Sequence, residues 1–217
     1  MSDIVAEINT DKKGALVRFD GGETLWFSRA AWSERGLRDG EEIDLDELKR
    51  WLLPRQYTEA LNCAVSLLAV RARSGGEVRR KLEERHYMED AVEMALYKLE
   101  KEKLLDDEAF ARDWAASRAR RQVGKNRILQ ELRLKGVSRE LAERAVEALD
   151  ECESGDQAEA LARKLLKKHE TEEPRKAMNK VMAALARRGY GFDEARRAVD
   201  QALDSMRREA SEEDGNE

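Results

Sequence analysis

The sequence predicts a mainly α-helical protein: tandem three-helix repeats forming an elongated, curved array, behind a small N-terminal segment that contains a β-hairpin. Three observations carry this. Ala, Leu, Glu, Arg and Lys dominate a chain of 217 residues in which 40% are charged and only Pro54 and Pro174 are proline, a mixture of strong helix formers with few breakers. From Tyr57 onward the apolar residues recur at the helical period. In that region one pattern of apolar and small residues occurs three times without a gap.

The first fifty or so residues read differently from the rest. "GALVRFDGGETLWFS" is two β-favouring runs around Asp20-Gly21-Gly22, a strong hairpin signal, and "IVAEINT" supplies a strand before it. Ser28 can cap a short helix through Trp32 that Gly36 ends. Asp44 can cap another across Leu45, Leu48 and Leu52. Pro54 is expected to close this head, residues 1–54, which is too small to hold a deep pocket of its own.

The repeats follow. Beside one another stand "KLEERHYMEDAVEMAL" from Lys81, "ELRLKGVSRELAERAV" from Glu131 and "ALARRGYGFDEARRAV" from Ala184. Leu82, Leu132 and Leu185 align, then Arg85, Lys135 and Arg188, then His86, Gly136 and Gly189. Val92, Ala142 and Ala195 follow, then Ala95, Ala145 and Ala198, then Leu96, Val146 and Val199. Each copy has a helix upstream: "EALNCAVSLLAVRA", "DEAFARDWAASRARR" and "DQAEALARKLLKKH". The glycine suits the left-handed position just past the middle helix, so His86 should be the less favourable cap. The repeats are expected at residues 56–105, 106–155 and 156–208. Since one such unit buries a marginal core, neighbours are expected to share apolar surface. Residues 209–217, "EASEEDGNE", read as an acidic disordered tail.

Charge and motifs bound the function. Net charge is −5, but residues 1–59 and 209–217 contribute −4 and −5, leaving +4 on the helical body between them. A mildly basic body between acidic ends is compatible with an anionic partner. No apolar run reaches the ~20 residues of a membrane span, and the start has no secretory pattern, which points to the cytoplasm. Cys63 and Cys152 read as thiols within helices of a reducing compartment. The pair Asp106-Asp107 invites a catalytic reading, yet successive helical side chains diverge by ~100° and cannot converge on one atom. Asp106 as N-cap, with Asp107 and Glu108 in the first turn, is the better account. No phosphate loop, nucleophile elbow or metal-ligand spacing occurs, so neither an enzyme nor a cofactor is expected.

What remains is a basic cluster from Arg112 to Lys135. Arg118, Arg121, Lys125, Arg127, Arg133 and Lys135 are its candidate binding residues. Arg118, Arg121 and Lys125 would share one side of a helix that continued that far. They can be cations favoured by a helix C-terminus and a solvated face, or an anion-binding surface for DNA phosphates or an acidic protein groove. No recognition helix for base-specific reading is evident.

"LLDDEAFARDWAASRARRQVGKNRILQELRLKGV", Leu104 to Val137, resembles the central signature of the RecX family of recombination regulators. The matching residues are Leu105-Asp106-Asp107, Phe110-Ala111, Trp114, Arg118, Gly124, Arg127-Ile128, Glu131-Leu132 and Lys135-Gly136. Arg73-Ser74 and Glu77–Leu82 resemble the family's first repeat, and the likeness extends over residues 57–205. The resemblance implies a helical-repeat protein of DNA repair and the SOS response, and a monomer is the default expectation for its oligomeric state. It would bind the RecA recombinase, lodge in the groove of the RecA–DNA filament and restrain recombination, ATP hydrolysis and co-protease activity, with weak DNA contacts of its own. The acidic head and tail shift the weight towards RecA contact. The competing expectations are a sequence-tolerant DNA-binding protein acting without RecA, and a helical scaffold. On the family reading, changing Arg118, Arg121 and Lys125 together to Ala is expected to leave the fold intact and weaken inhibition.

Overall fold

A computed structural model describes residues 3–149 and 151–214, without the side chains of 151–155, 210 and 212–214. Strands β1 (Asp3–Thr10), β2 (Gly14–Phe19) and β3 (Thr24–Ser28) form the expected antiparallel meander. Gly22, at φ 86°, supplies the left-handed turn between β2 and β3. A two-residue strand β4 (Glu42–Ile43) pairs with the start of β1, giving the sheet order β3-β2-β1-β4. Helix α1 (Arg29–Glu34) is capped by Ser28, whose hydroxyl accepts from the Ala31 amide. Alternate strand residues Val5, Val17, Phe19, Leu25 and Phe27 are buried and meet Leu45, Leu48 and Leu52 from the next helix. The head therefore has a core of its own.

That next helix overturns the expected boundary. Helix α2 runs from Leu45 to Val70 with Pro54 inside it. Proline removes one helical hydrogen bond and is costly in an interior, but burial on both sides outweighs the local penalty. The first half packs Leu45, Leu48 and Leu52 into the head, and the second half packs Ala60, Cys63 and Ala64 into the first repeat. At the crossover Gln56 is buried, with Nε2 donating to the Trp26 carbonyl (2.6 Å) and Oε1 accepting from the Met88 amide (2.6 Å). Tyr87 packs edge-on against Trp26 at 5.3 Å. The same helix thus belongs to two cores.

The first repeat continues with α3 (Gly75–Glu83) and α4 (Glu89–Lys101). The second comprises α5 (Asp107–Ala119), α6 (Lys125–Leu134) and α7 (Arg139–Glu147). The third comprises α8 (Glu151–Lys168), α9 (Pro174–Arg187) and α10 (Phe192–Asp214). Every apolar position aligned between the repeats is buried, from Leu82, Leu132 and Leu185 to Leu96, Val146 and Val199. The position after the middle helix is left-handed in all three, with φ of 61° at His86, 78° at Gly136 and 92° at Gly189. In each case the following amide donates back to the aligned leucine: Tyr87 to Leu82, Val137 to Leu132 and Tyr190 to Leu185. This is the closure of a helix by a left-handed residue.

The cores of the three repeats are separate, where a shared one was the expectation. Each closes its own cluster, Ala60 to Leu105, Phe110 to Val146, and Ala158 to Ala202, because three amphipathic helices suffice to enclose these small residues. The chain divides into two compact units on either side of the Asp106–Asp107 bond. Helix α10 also continues beyond the expected repeat boundary at residue 208, and Glu209 pairs with Arg163 on α8. Residues 215–217 of the acidic tail lie outside the described residues. Among those residues no helix is long and apolar enough to cross a membrane.

Candidate functional site

The central repeat concentrates its signature residues around one carboxylate. Helix α5 presents Phe110, Trp114 and Arg118 one turn apart, as helical spacing requires. Glu131, on α6, accepts from Trp114 Nε1 at 3.1 Å and from Arg118 Nε at 2.6 Å through the same oxygen. Its other oxygen meets Arg127 Nε at 3.5 Å. The Trp114 ring is stacked on Phe110 at 6.0 Å between centroids. The Arg118 guanidinium lies 4.5 Å from the Trp114 ring centre and Lys135 Nζ lies 3.9 Å from it. Both cations are held by π faces, and Arg118 and Glu131 are largely withdrawn from solvent, at 26% and 19% side-chain exposure.

This separates the candidate residues into two groups. Arg118, Lys135 and Arg127 are tied into the architecture by Trp114, Glu131 or backbone. Arg121 and Arg133 are exposed, and Lys125 is half-buried at the first position of α6. The single helical side expected for Arg118, Arg121 and Lys125 does not exist. Helix α5 stops at Ala119, Gln122 turns left-handed at φ 56°, and the Val123 amide returns to the Arg118 carbonyl. The triple substitution would therefore remove the Arg118 clamp as well as surface charge, so an intact fold is no longer its expected outcome.

Sequence reasoning missed the partner of this surface. The Gly124 amide donates to the Arg188 carbonyl (2.9 Å) and the Asn126 amide to the Gly189 carbonyl (3.1 Å). Arg127 Nη1 donates to the Arg187 carbonyl at 3.3 Å. The C-terminal carbonyls of α9 thus occupy the N-terminal amides of α6, an alignment that satisfies both helix ends. A Cβ on Gly124 would fall 2.3 Å from the Gly189 carbonyl carbon, and one on Gly189 only 2.4 Å from Arg127 Cβ. Arg188 was visible as the equivalent of Lys135, yet nothing local announced the contact.

Elsewhere, Arg85 Nη1 donates to Cys63 Sγ at 2.8 Å. Burial pushes the Cys63 thiol up, with Arg85 pulling the other way. The Cys152 side chain lies outside the described residues. Asp106 precedes α5, where a cap belongs.

The matches to known proteins follow this partition. A family model described as RecX, first three-helix domain, covers residues 60–99. The second three-helix domain covers 106–146 and the third covers 151–199. The chain is 35% identical to the regulatory protein RecX of Corynebacterium efficiens over 154 residues, 66% of this chain and 73% of that one. It is 34% identical to the regulatory protein RecX of Mycolicibacterium smegmatis over 164 residues, 73% and 87% of the two chains. A crystal structure of regulatory protein RecX superposes with a TM-score of 0.63 at 22% identity, covering 91% of this chain and 99% of the other. That of RecX from Lactobacillus salivarius gives 0.65 at 22% identity over 69% and 98%.

Proposed function

Because the chain belongs to the RecX family of regulatory proteins, we propose that it is a monomeric cytoplasmic regulator, not an enzyme, that binds the RecA–DNA filament. In this role it restrains recombination, ATP hydrolysis and co-protease activity, and so acts in DNA repair and the SOS response. The observation that carries the reading is the ordered match of three family domains along residues 60–199. Exposed cations of the central repeat support it, since a filament presents both phosphates and acidic protein surface.

The test is RecA ATPase on single-stranded DNA, titrated with the full chain at sub-stoichiometric amounts. Inhibition is expected, and a flat response over a wide titration would sink the reading. Arg121→Ala combined with Arg133→Ala should unfold like the parent protein. It should also raise the half-inhibitory concentration about fivefold or more, corresponding to loss of ~1 kcal/mol of charged contact.

A further inference from the structure

Two of the three repeats close their middle helix with glycine, and the first does not. His86 holds the left-handed conformation there at φ 61°, against the steric cost of its own Cβ. Strain of this kind gathers at binding sites, where a side chain is kept in spite of its backbone. Beside this cap lies the head, and between the two opens a crevice of about 430 Å³ within the first compact unit. That volume suits a small molecule. One wall is aromatic, formed by Trp26 of β3 and Tyr87, both half-buried. The buried Gln56 amide fixes this wall from behind, through the Trp26 carbonyl and the Met88 amide.

Charge decides what the crevice fits. Lys13, in the turn between β1 and β2, lines it together with Arg85 and His86. Among the described residues, the Lys13 ammonium and the His86 ring have neither a hydrogen-bond nor an ion-pair partner. Arg85 is steadied by Cys63 Sγ, which accepts from Nη1, and its other N–H groups can serve a ligand. The two carboxylates on the same rim are engaged already. Asp11 Oδ1 accepts from the Lys13 amide at 2.7 Å and the Gly14 amide at 2.9 Å, and Glu84 pairs with Lys81 at 2.5 Å. His86 and Tyr87 also line an adjoining crevice, which is acidic, with Glu89 and Asp90 from the first turn of α4. Cations and unengaged carboxylates are thus parted at His86 and Tyr87, and an anion belongs on the Lys13 and Arg85 side.

An aromatic wall with cations beside it selects a flat ring that carries a negative group. We propose that this crevice binds a small aromatic anion, its ring against Trp26 and Tyr87 and its negative group on Lys13 and Arg85. His86 donates a hydrogen bond to the same group, which is the use that keeps a histidine where glycine would close the helix more easily. Aromatic carboxylates and aryl phosphates share this chemistry. The site stands apart from the filament-regulator reading, and its test needs no RecA.

The full chain is titrated calorimetrically with naphthaleneacetate and with naphthyl phosphate, and with inorganic phosphate as the control that lacks a ring. Saturable binding of at least one ringed probe is expected, and the tighter of the two identifies the anionic group. His86→Gly relieves the left-handed strain, so it should keep the fold and still weaken that binding about tenfold. Lys13→Ala should weaken it about fivefold, and Lys13→Arg, which keeps the charge, should restore it. The proposal is overturned if neither ringed probe binds, or if inorganic phosphate binds as tightly as they do. Parent-like binding by both His86→Gly and Lys13→Ala would overturn it as well.

Discussion

At the scale of single residues, the three copies differ most instructively at the left-handed cap. Gly136 and Gly189 adopt positive φ freely, whereas His86 does so at 61° with a Cβ in the way. His86→Gly should therefore stabilise the first unit by about 1 kcal/mol, read from the urea midpoint. A midpoint that falls would mean that the His86 side chain contributes more than the backbone conformation costs. Glu131 is the opposite case, a carboxylate serving Trp114, Arg118 and Arg127 together. Glu131→Gln should cost about 1–3 kcal/mol and alter Trp114 fluorescence, because it leaves Arg118 half-buried without its anion. Parent-like stability in that variant would show that the π contacts alone hold the clamp. The caps at Ser28 and Asp44 were legible in the sequence because they are local: each side chain accepts from an amide three residues on. Glu131 was not, because its partners lie 13 and 17 residues away.

At the scale of elements, α2 shows where local rules end. A proline breaker read alone places a boundary at Pro54, while the helix is decided by what each half buries. Pro54→Ala should stabilise the first unit by about 1–3 kcal/mol, seen in urea unfolding; destabilisation would mean that a bend at the proline is needed for the two cores to fit. Gln56→Leu leaves the Trp26 carbonyl and Met88 amide without their partner, and should cost at least about 2 kcal/mol. The hairpin was legible from its Asp-Gly-Gly turn, but β4 was not, since Glu42–Ile43 is two residues long and pairs with the start of β1 far away in sequence. The end of α5 was missed for a related reason. Gln122 takes the left-handed conformation that a glycine would have announced.

At the scale of the whole molecule, repetition made most of the fold readable, because the same spacing of leucine, glycine and alanine encloses three similar cores. The candidate site was readable only as composition. Which arginines are clamped and which are exposed depends on Trp114 and Glu131, and the Gly124–Gly189 approach joins residues 65 apart. Chemistry that repeats between cores also predicts a shared pH response. Tyr87 and Tyr190 follow the middle helix of the first and third repeats, and burial, as the leading cause, pushes both hydroxyls up to about 12 from 10.0. A group whose folded value is raised stabilises fully below its unfolded value. Stability should thus fall as pH rises from about 10 to about 12, and Tyr87→Phe with Tyr190→Phe should flatten that fall; an unchanged slope would place the loss elsewhere. The continuous α2 has a mechanical consequence as well. A helix of 26 residues is about 39 Å long, with the head rooted on one half and the first repeat on the other. It works as a beam shared by two cores: a torque that a partner applies to the head is carried along α2, past Pro54 and the Gln56 bridge, into the first repeat.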